Sequence, residues 1–194
     1  MTSAVQSKPR VLVAVTSSLA CTFYRGVLRH LQSSGFEPLI VSSPGANLCD
    51  ISFRERAQSI AVPIEREISP IKDLISLWRL CRILCHVRPT IVDASTPKAG
   101  FLTGIAAWLA RIPCRVYTLR GLRLETATGA KRVALWTTEW IACACAHCVV
   151  CVSPSLRERA ISLGLVPASK ASVLGNGSGG VDLDRFSATN REST

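Results

Sequence analysis

The sequence predicts an α/β fold: a doubly wound, mostly parallel, seven-stranded Rossmann-like sheet. Seven short apolar runs alternate with segments of helical periodicity, and strands separated by helices pair in parallel through right-handed crossovers. Hydrophobic residues make up 48% of the chain and aromatic residues only 6%, which indicates the aliphatic core typical of parallel sheets covered by helices. The length of 194 residues suits one domain of this class.

The predicted strands are short runs bounded by turn or helix signals, and they cover residues 11–15, 38–41, 60–62, 90–93, 114–118, 148–152 and 171–174. Apolar residues at helical spacing predict the helices between them, over residues 23–33, 50–59, 70–88, 97–111, 131–146 and 154–163. Residues 119–129 have no clean period and carry several charges, so this segment is predicted to be a functional loop.

The longest predicted helix opens at Ser69 and Pro70 and ends at Arg88. Serine is a favourable N-cap, and proline is tolerated in the first helical turn because its missing N–H costs nothing there. The apolar stripe of this helix has a period of 3.6 and consists of Leu74, Leu77, Trp78, Cys81, Leu84 and Cys85. The stripe predicts that Trp78 anchors the helix in the core.

The formal net charge of +10 favours an anionic partner, which could be nucleic acid, a phosphorylated ligand or an anionic membrane surface. The basic residues do not form one run, and solvated helix faces account for them equally well. Aromatic residues are too few and too scattered for the stacking platform of a single-strand binder, so no nucleic acid is predicted as a partner.

Nine cysteines could form disulfides or a metal site. Residues 1–10 are polar and lack an apolar signal core, so a cytoplasmic location without disulfides is expected. The densest cluster has no second ligand pair further along the chain, and it consists of Cys143, Cys145, His147, Cys148 and Cys151. These cysteines are predicted to be small hydrophobic residues, and no metal site is predicted.

Ligands of doubly wound sheets bind at the carboxyl ends of the strands. The loop after the first strand carries Ser17 and Ser18, which can hold an anion before a helix, and Arg25 follows within reach. The loop after the fourth strand carries Lys98 beside a predicted helix N-terminus. A cation there opposes the helix dipole, which favours a role in binding an anionic ligand.

Six segments together resemble the N-terminal domain of the family 4 glycosyltransferases, which have the GT-B fold of two facing Rossmann-like domains. They are TSSL…FYRGVLRHLQSSGFEP, EREISPIKDLISLWRLCRIL, RPTIVDASTPKAGFLTGIAA, YTLRGLRLETATGAKR, CVSPSLRERAISLGL and VLGNGSGGVDLDRF. The resemblance covers residues 8–186. Within the family, the chain is similar to the bacterial subgroup that builds lipid-linked or surface polysaccharides.

The resemblance implies the acceptor-binding half of a glycosyltransferase that moves a hexose from a nucleotide sugar, its co-substrate, to a lipid-linked or polysaccharide acceptor. It implies retaining, metal-independent transfer without a cofactor, in which Arg and Lys side chains neutralise the leaving diphosphate. Together with Arg25, the implied acceptor-binding residues are Ser17, Ser18, Arg66, Thr96, Lys98, Arg120, Arg123 and Glu125. The implied junction towards the donor side contains Gly175, Asn176 and Asp182.

The resemblance also predicts how the chain is divided. Residues 1–186 are expected to form the N-terminal domain and residues 187–194 a polar tail, with the donor-binding C-terminal domain absent from the 194 residues. A non-catalytic module left by truncation, which binds a glycan, a lipid diphosphate or a partner, is therefore the alternative function. The basic charge and the family together suggest peripheral contact with the anionic inner face of the plasma membrane.

Overall fold

A seven-stranded parallel sheet forms the centre of the computed structural model, which describes residues 8–67, 69–175 and 177. The strands are β1 (Arg10–Ala14), β2 (Glu37–Ser42), β3 (Gln58–Ala61), β4 (Ile91–Ala94), β5 (Cys114–Leu119), β6 (Cys148–Cys151) and β7 (Ala171–Val173). The α-helices are α1 (Val27–Ser33), α2 (Ala46–Glu55), α3 (Pro70–Val87), α4 (Pro97–Leu109), α5 (Gly129–Cys145) and α6 (Pro154–Ser162). Two short 3₁₀ helices cover Ser18–Tyr24 and Arg123–Thr126.

The strand order is β3-β2-β1-β4-β5-β6-β7, and every neighbouring pair is parallel. The predicted doubly wound α/β class is therefore confirmed. The order reverses between β1 and β4, where Val13 pairs with Ile40 on one side and with Asp93 on the other. The loops after β1 and β4 consequently diverge at this switch point, which is where such sheets bind ligands.

Alternate residues of each strand face opposite layers of the molecule. On β1, Leu12 and Ala14 join the core under α3, α4 and α5, while Val11 and Val13 join the core under α1 and α2. Both faces of the sheet are thus covered, which explains why the strands are continuous apolar runs.

Helix α3 buries a face that only partly overlaps the predicted stripe: Leu84 is buried and Leu77 and Cys81 pack against the core, but the far side of the stripe is exposed. Trp78 is 57% exposed, and the guanidinium carbon of Arg82 lies 4.8 Å from its ring centroid. The buried residues of α3 are Ser76, Leu80 and Leu84. Ser76 is tolerated inside because its hydroxyl donates to the carbonyl oxygen of Pro63 at 2.5 Å. The prediction that Trp78 anchors this helix in the core is wrong.

The helix predicted over residues 23–33 is two elements, a 3₁₀ helix and α1. The chain turns between them at Gly26, whose φ of 75° suits a residue without a side chain. The buried Glu55 carboxylate accepts hydrogen bonds from the backbone N–H groups of Gly26 and Arg29, each at 3.1 Å. A residue at the end of α2 therefore determines where α1 begins, which local spacing does not reveal.

Helix α4 packs closely over β5 because Gly100 has no side chain. A Cβ atom built at Gly100 would lie 2.3 Å from the ring of Tyr117. The Tyr117 hydroxyl donates a hydrogen bond to Oε1 of Glu139, a buried residue of α5. Burial raises the pKa of Glu139 from its ordinary 4.5 to about 7, although the Tyr117 hydrogen bond opposes the shift.

The cysteine cluster runs from the end of α5 into β6, with Cys143 and Cys151 buried. Burial raises the pKa of Cys143 to about 12, so this side chain remains a thiol. Among residues 8–67, 69–175 and 177, no group of three or more His, Cys, Asp or Glu side chains is arranged to hold a metal ion. Within the same residues, no helix combines the length and the apolar character needed to cross a membrane.

Candidate functional site

Two threonines join the loops that follow β1 and β4. The hydroxyl oxygens of Thr16 and Thr96 lie 2.8 Å apart, and the Thr16 backbone N–H donates to Thr96 Oγ1 at 3.1 Å. Thr16 Oγ1 also accepts from the backbone N–H of Ala99 at 3.2 Å, so a residue after β1 caps the first turn of α4. These bonds hold the two loops at a fixed separation across the switch point.

Lys98 points from the start of α4 towards α3. Its Nζ lies 2.7 Å from Oδ1 of Asp73, and only 11% of the Lys98 side chain is exposed. This contact is an ion pair, and its geometry is not that of a hydrogen bond to Asp73 Oδ1. Lys98 Nζ donates a hydrogen bond to the carbonyl oxygen of Glu67 instead. Asp73 therefore supplies the negative charge that offsets a cation at a helix N-terminus.

Arg123 reaches from the 3₁₀ helix after β5 to the segment after β3. Its guanidinium donates to the Arg66 carbonyl oxygen at 3.3 Å and to Glu67 Oε1 at 3.4 Å. Both distances are long for hydrogen bonds, and the Arg123 side chain is 36% exposed. Arg123 thus retains donors for a ligand, and the side chains of Arg66 and Arg123 lie at the same edge of the sheet.

A polar groove of about 670 Å³ opens at the carboxyl ends of β1, β3, β4 and β5. Its lining residues are Thr16, Ser17, Leu19, Ala20, Thr22, Phe23, Arg66, Thr96, Pro97, Lys98 and Arg123. Five residues predicted from the sequence come together in this polar groove, namely Ser17, Arg66, Thr96, Lys98 and Arg123. Three cations and three threonines in one concavity suit an anionic, hydroxyl-bearing ligand.

Arg120 lies beside the polar groove. Its Nε donates to the hydroxyl of Ser95, and its guanidinium carbon lies 4.5 Å from the ring centroid of Phe23 and 5.8 Å from that of Tyr24. This contact packs the 3₁₀ helix after β1 against the end of β5. Arg120 therefore positions the wall that carries Phe23.

Beneath Arg120, a partly buried carboxylate links three elements. Oδ2 and Oδ1 of Asp93 on β4 accept hydrogen bonds from the hydroxyls of Tyr24 and Thr118, both at 2.8 Å. Burial raises the pKa of Asp93, while these two hydrogen bonds and the Arg120 charge oppose the shift. Burial also raises the pKa of Tyr24, so its hydroxyl keeps the proton that it donates.

Other predicted site residues lie outside the polar groove. Ser18 fills the space beside Gly45, where a Cβ atom would lie 2.2 Å from the Ser18 hydroxyl oxygen. Arg25 faces Asp50 of α2 at 3.7 Å, and Glu125 accepts from Arg159 of α6 at 2.7 Å.

At the predicted junction towards the donor side, the structure describes Gly175, a left-handed turn residue with φ of 58°. Asn176 and Asp182 lie outside the described residues. The site role predicted for this junction therefore rests on the sequence.

Sequence reasoning missed the residues that support the polar groove. The sequence predicts Tyr24 in a helix, Asp93 in a strand and Ser95 in the loop after that strand. In the structure these residues link β4 to the 3₁₀ helix and to Arg120. An acidic residue at the end of an otherwise apolar strand is the signal that points to Asp93, because an unpaired buried carboxylate would be costly.

A second, apolar groove of about 370 Å³ adjoins the polar one, between α3, α4 and α5. The lining residues are Arg66, Glu67, Pro70, Asp73, Leu74, Leu77, Pro97, Lys98, Phe101, Leu102, Arg123, Lys131, Leu135 and Thr138. Four of these, Arg66, Pro97, Lys98 and Arg123, line both grooves. The two grooves therefore form one continuous surface with a polar part and an apolar part.

A family model described as a glycosyl transferase 4-like domain matches residues 22–177, which include the lining of the apolar groove and that of the polar groove except Thr16, Ser17, Leu19 and Ala20. The chain belongs to this glycosyltransferase family. The resemblance predicted from the sequence is thereby confirmed.

Two relatives support the same family. The chain is 35% identical to the capsular polysaccharide biosynthesis glycosyltransferase CapM of Staphylococcus aureus over 186 aligned residues. The alignment covers 94% of this chain and 48% of that protein. It is 37% identical to the UDP-Gal:alpha-D-GlcNAc-diphosphoundecaprenol alpha-1,3-galactosyltransferase of Escherichia coli over 123 aligned residues. This alignment covers 62% of this chain and 31% of the enzyme. The chain thus spans about half the length of the first relative and about a third of the second.

Solved structures share the fold. The complex of Anabaena HepE with UDP and glucose matches with a TM-score of 0.67 at 15% identity, over 91% of this chain and 46% of that one. A glycosyltransferase from Rickettsia africae matches with a TM-score of 0.66 at 18% identity, over 95% of this chain and 46% of that one. These likenesses show that the glycosyltransferase-like Rossmann domain is conserved in shape across wide sequence divergence.

Proposed function

We propose that this chain is the acceptor-binding half of a glycosyltransferase that transfers a hexose from a nucleotide sugar to a lipid-linked or polysaccharide acceptor. The observation that carries the proposal is the polar groove, where Arg66, Lys98 and Arg123 meet the hydroxyls of Ser17 and Thr96 at the carboxyl ends of the strands. The family and both polysaccharide-related relatives support this assignment.

The charges of the polar groove favour a metal-independent reaction, and we propose that it retains the anomeric configuration because the family resemblance implies this. As the glycosidic bond to the donor breaks, negative charge grows on the leaving diphosphate, and preorganised cations stabilise such charge. Arg66 faces the groove as an exposed residue and Arg123 as a partly exposed one, and Lys98 adds a charge held in place by Asp73. Ser17 and Thr96 supply hydroxyls that orient the acceptor, and the nucleotide sugar is the only co-substrate required.

A lipid-linked acceptor brings the protein to a membrane surface, and α3 provides a face for that contact. Ile71 and Leu74 are 78% and 67% exposed, and Trp78 continues the same apolar face. Arg82 flanks Trp78, and cations beside exposed apolar side chains favour an anionic bilayer. We therefore place the protein in the cytoplasm, in peripheral contact with the inner membrane face.

The test joins this chain to the carboxyl-terminal half of the Staphylococcus CapM relative and measures transfer of labelled sugar from UDP-sugars to undecaprenyl-diphosphate-linked acceptors. Arg123→Gln is expected to lower kcat/KM by at least tenfold, about 1.4 kcal/mol of transition-state stabilisation. Arg132→Gln, an exposed cation of α5 outside both grooves, serves as the matched control and is expected to change kcat/KM less than twofold.

Further readouts separate the parts of the proposal. Unchanged rates in EDTA and an anomeric configuration kept between donor and product support the metal-independent, retaining reaction. Equal activity of Arg123→Gln and Arg132→Gln would remove Arg123 from the site. Binding of lipid diphosphate without any transfer favours the alternative, a non-catalytic binding module.

A further inference from the structure

The apolar groove between α3, α4 and α5 is a shaped concavity with a mostly hydrocarbon lining. Leu74 and Leu77 of α3 form one wall, Phe101 of α4 forms the floor, and Leu135 of α5 forms the other wall. Its volume of about 370 Å³ lies within the range of small-molecule sites. Leu74 keeps most of its side chain exposed here although it lies on a helix beside the core.

Polar recognition is scarce inside the apolar groove. Thr138 contributes a hydroxyl, and that hydroxyl already donates to the carbonyl oxygen of Leu135 at 3.0 Å. A sugar or a nucleobase placed there would leave its own polar atoms unpaired, which is unfavourable. A hydrocarbon chain has no polar atoms to satisfy and gains from leaving water.

Charge is concentrated where the apolar groove meets the polar one. Arg66, Lys98 and Arg123 line both, and Lys131, which lines the apolar groove alone, adds a fourth cation that makes no ion pair with a described residue. The carboxylates of Glu67 and Asp73 are already engaged by Arg123 and Lys98. The mouth of the apolar groove therefore suits an anionic group attached to an apolar tail.

We propose that the apolar groove binds the hydrocarbon segment next to the phosphate of a lipid phosphate or diphosphate acceptor. The anionic head lies among the shared cations, the glycan end extends into the polar groove, and the first carbons of the lipid lie between Leu74, Phe101 and Leu135. This inference rests on the proposed function, and it adds that the protein selects its acceptor by the lipid as well as by the sugar.

The test measures binding of three soluble probes to the 194-residue chain by isothermal titration calorimetry, without detergent and below the aggregation concentration of each probe. The probes are inorganic diphosphate, dimethylallyl diphosphate and farnesyl diphosphate. Each methylene moved out of water contributes about fourfold in affinity. Farnesyl diphosphate is therefore expected to bind at least tenfold more tightly than dimethylallyl diphosphate.

A matched pair of variants locates the binding. Leu74→Gln is expected to reduce the affinity for farnesyl diphosphate by about fivefold or more and to leave inorganic diphosphate unchanged. Ile71→Gln is the control, because Ile71 is at least as exposed on the same helix and lies outside the lining. Thr138→Phe, which fills the groove from α5, is expected to act like Leu74→Gln, with circular dichroism verifying the fold.

Each outcome bears on a separate part of the proposal. Equal affinity for all three probes overturns the lipid groove and leaves the proposed function standing. Equal losses in Leu74→Gln and Ile71→Gln also overturn it, because the lipid would then adsorb along the surface of α3. Farnesol serves as a fourth, uncharged probe, and its binding in the absence of any diphosphate binding contradicts the polar groove and therefore the proposed function.

Discussion

Asp93 is a partly buried carboxyl group and Glu139 a fully buried one, and their surroundings differ. Asp93 lies at the carboxyl end of β4, where it accepts hydrogen bonds from Tyr24 and Thr118. Glu139 lies inside the molecule on α5 and accepts a hydrogen bond from Tyr117. Burial raises the pKa of both carboxyls, and more groups oppose the shift at Asp93.

The comparison of the two carboxyl groups shows which part of this fold supports a charged side chain. At the strand ends, hydroxyl donors and Arg120 support a carboxylate that in turn supports the wall of the polar groove. Between β5 and the helices α4 and α5, close apolar packing raises the pKa of Glu139 to about 7. This carboxyl group therefore changes protonation near neutral pH. The first region accommodates a charged group beside an open groove, and the second is densely packed.

The largest effect is expected from breaking the interior packing at Gly100. Gly100→Ala would place a Cβ atom 2.3 Å from the Tyr117 ring and is expected to lower the free energy of unfolding by about 3 kcal/mol. Gly104→Ala on the same helix is the control, since its Cβ atom would lie 3.4 Å from the nearest atom. That change is expected to be neutral or to stabilise by up to about 1 kcal/mol. Equal denaturation midpoints for the two variants would contradict the close approach.

The next effect concerns the protonation of Glu139. Because its folded pKa of about 7 exceeds the ordinary 4.5, the folded state binds the proton more tightly, so stability is greatest below pH 4.5 and falls as pH rises to about 7. Glu139→Gln, which keeps an acceptor for Tyr117, is expected to stabilise the chain by about 2 kcal/mol at pH 8 and to flatten this dependence.

Urea denaturation between pH 5 and 8 measures the Glu139 effect. Glu158→Gln, an exposed glutamate of α6, serves as the control and should leave the slope with pH unchanged. A Glu139→Gln chain whose stability still falls over this range would show that another group carries the dependence.

At the strand ends, Tyr24→Phe is expected to cost about 1–2 kcal/mol at pH 7, because the Asp93 carboxylate loses one of its two hydroxyl donors. The pKa of Asp93 should rise further, which carbon-detected NMR of the carboxyl group measures. An unchanged Asp93 titration would mean that Thr118 and Arg120 alone support the charge.

The smallest effect is expected at the exposed pair of Glu125 and Arg159. Glu125→Gln should change the free energy of unfolding by less than about 0.5 kcal/mol, because exposed ion pairs contribute little. In the joined protein described above, kcat/KM should stay within twofold of the parent. A loss of tenfold or more would restore Glu125 to the site despite its position beside α6.

Much of the fold could be predicted because the strands repeat a simple signal. Seven apolar runs alternate with helices, which is enough to predict a parallel sheet and to select the loops after its strands. Five predicted residues, Ser17, Arg66, Thr96, Lys98 and Arg123, do line one groove, and their functional roles stay predictions.

Other features depend on partners far away in the sequence. The position of Lys98 predicts a cation for an anionic ligand, but only the structure shows that it also pairs with Asp73, which lies on the preceding helix. Trp78 was predicted to be buried, but apolar residues occupy two neighbouring faces of α3, and periodicity cannot say which face meets the sheet.

The sequence by itself determined the class of the fold, because the fold class follows from local patterns repeated along the chain. It also determined the family, through the six segments that carry the resemblance, and it predicted the edge of the sheet at which a ligand is expected. Only the tertiary structure decided which cations are already paired, which helix face is buried, and that a polar and an apolar groove share four residues. The physical reason is that burial and ion pairing depend on distances between residues that the chain brings together only when it folds.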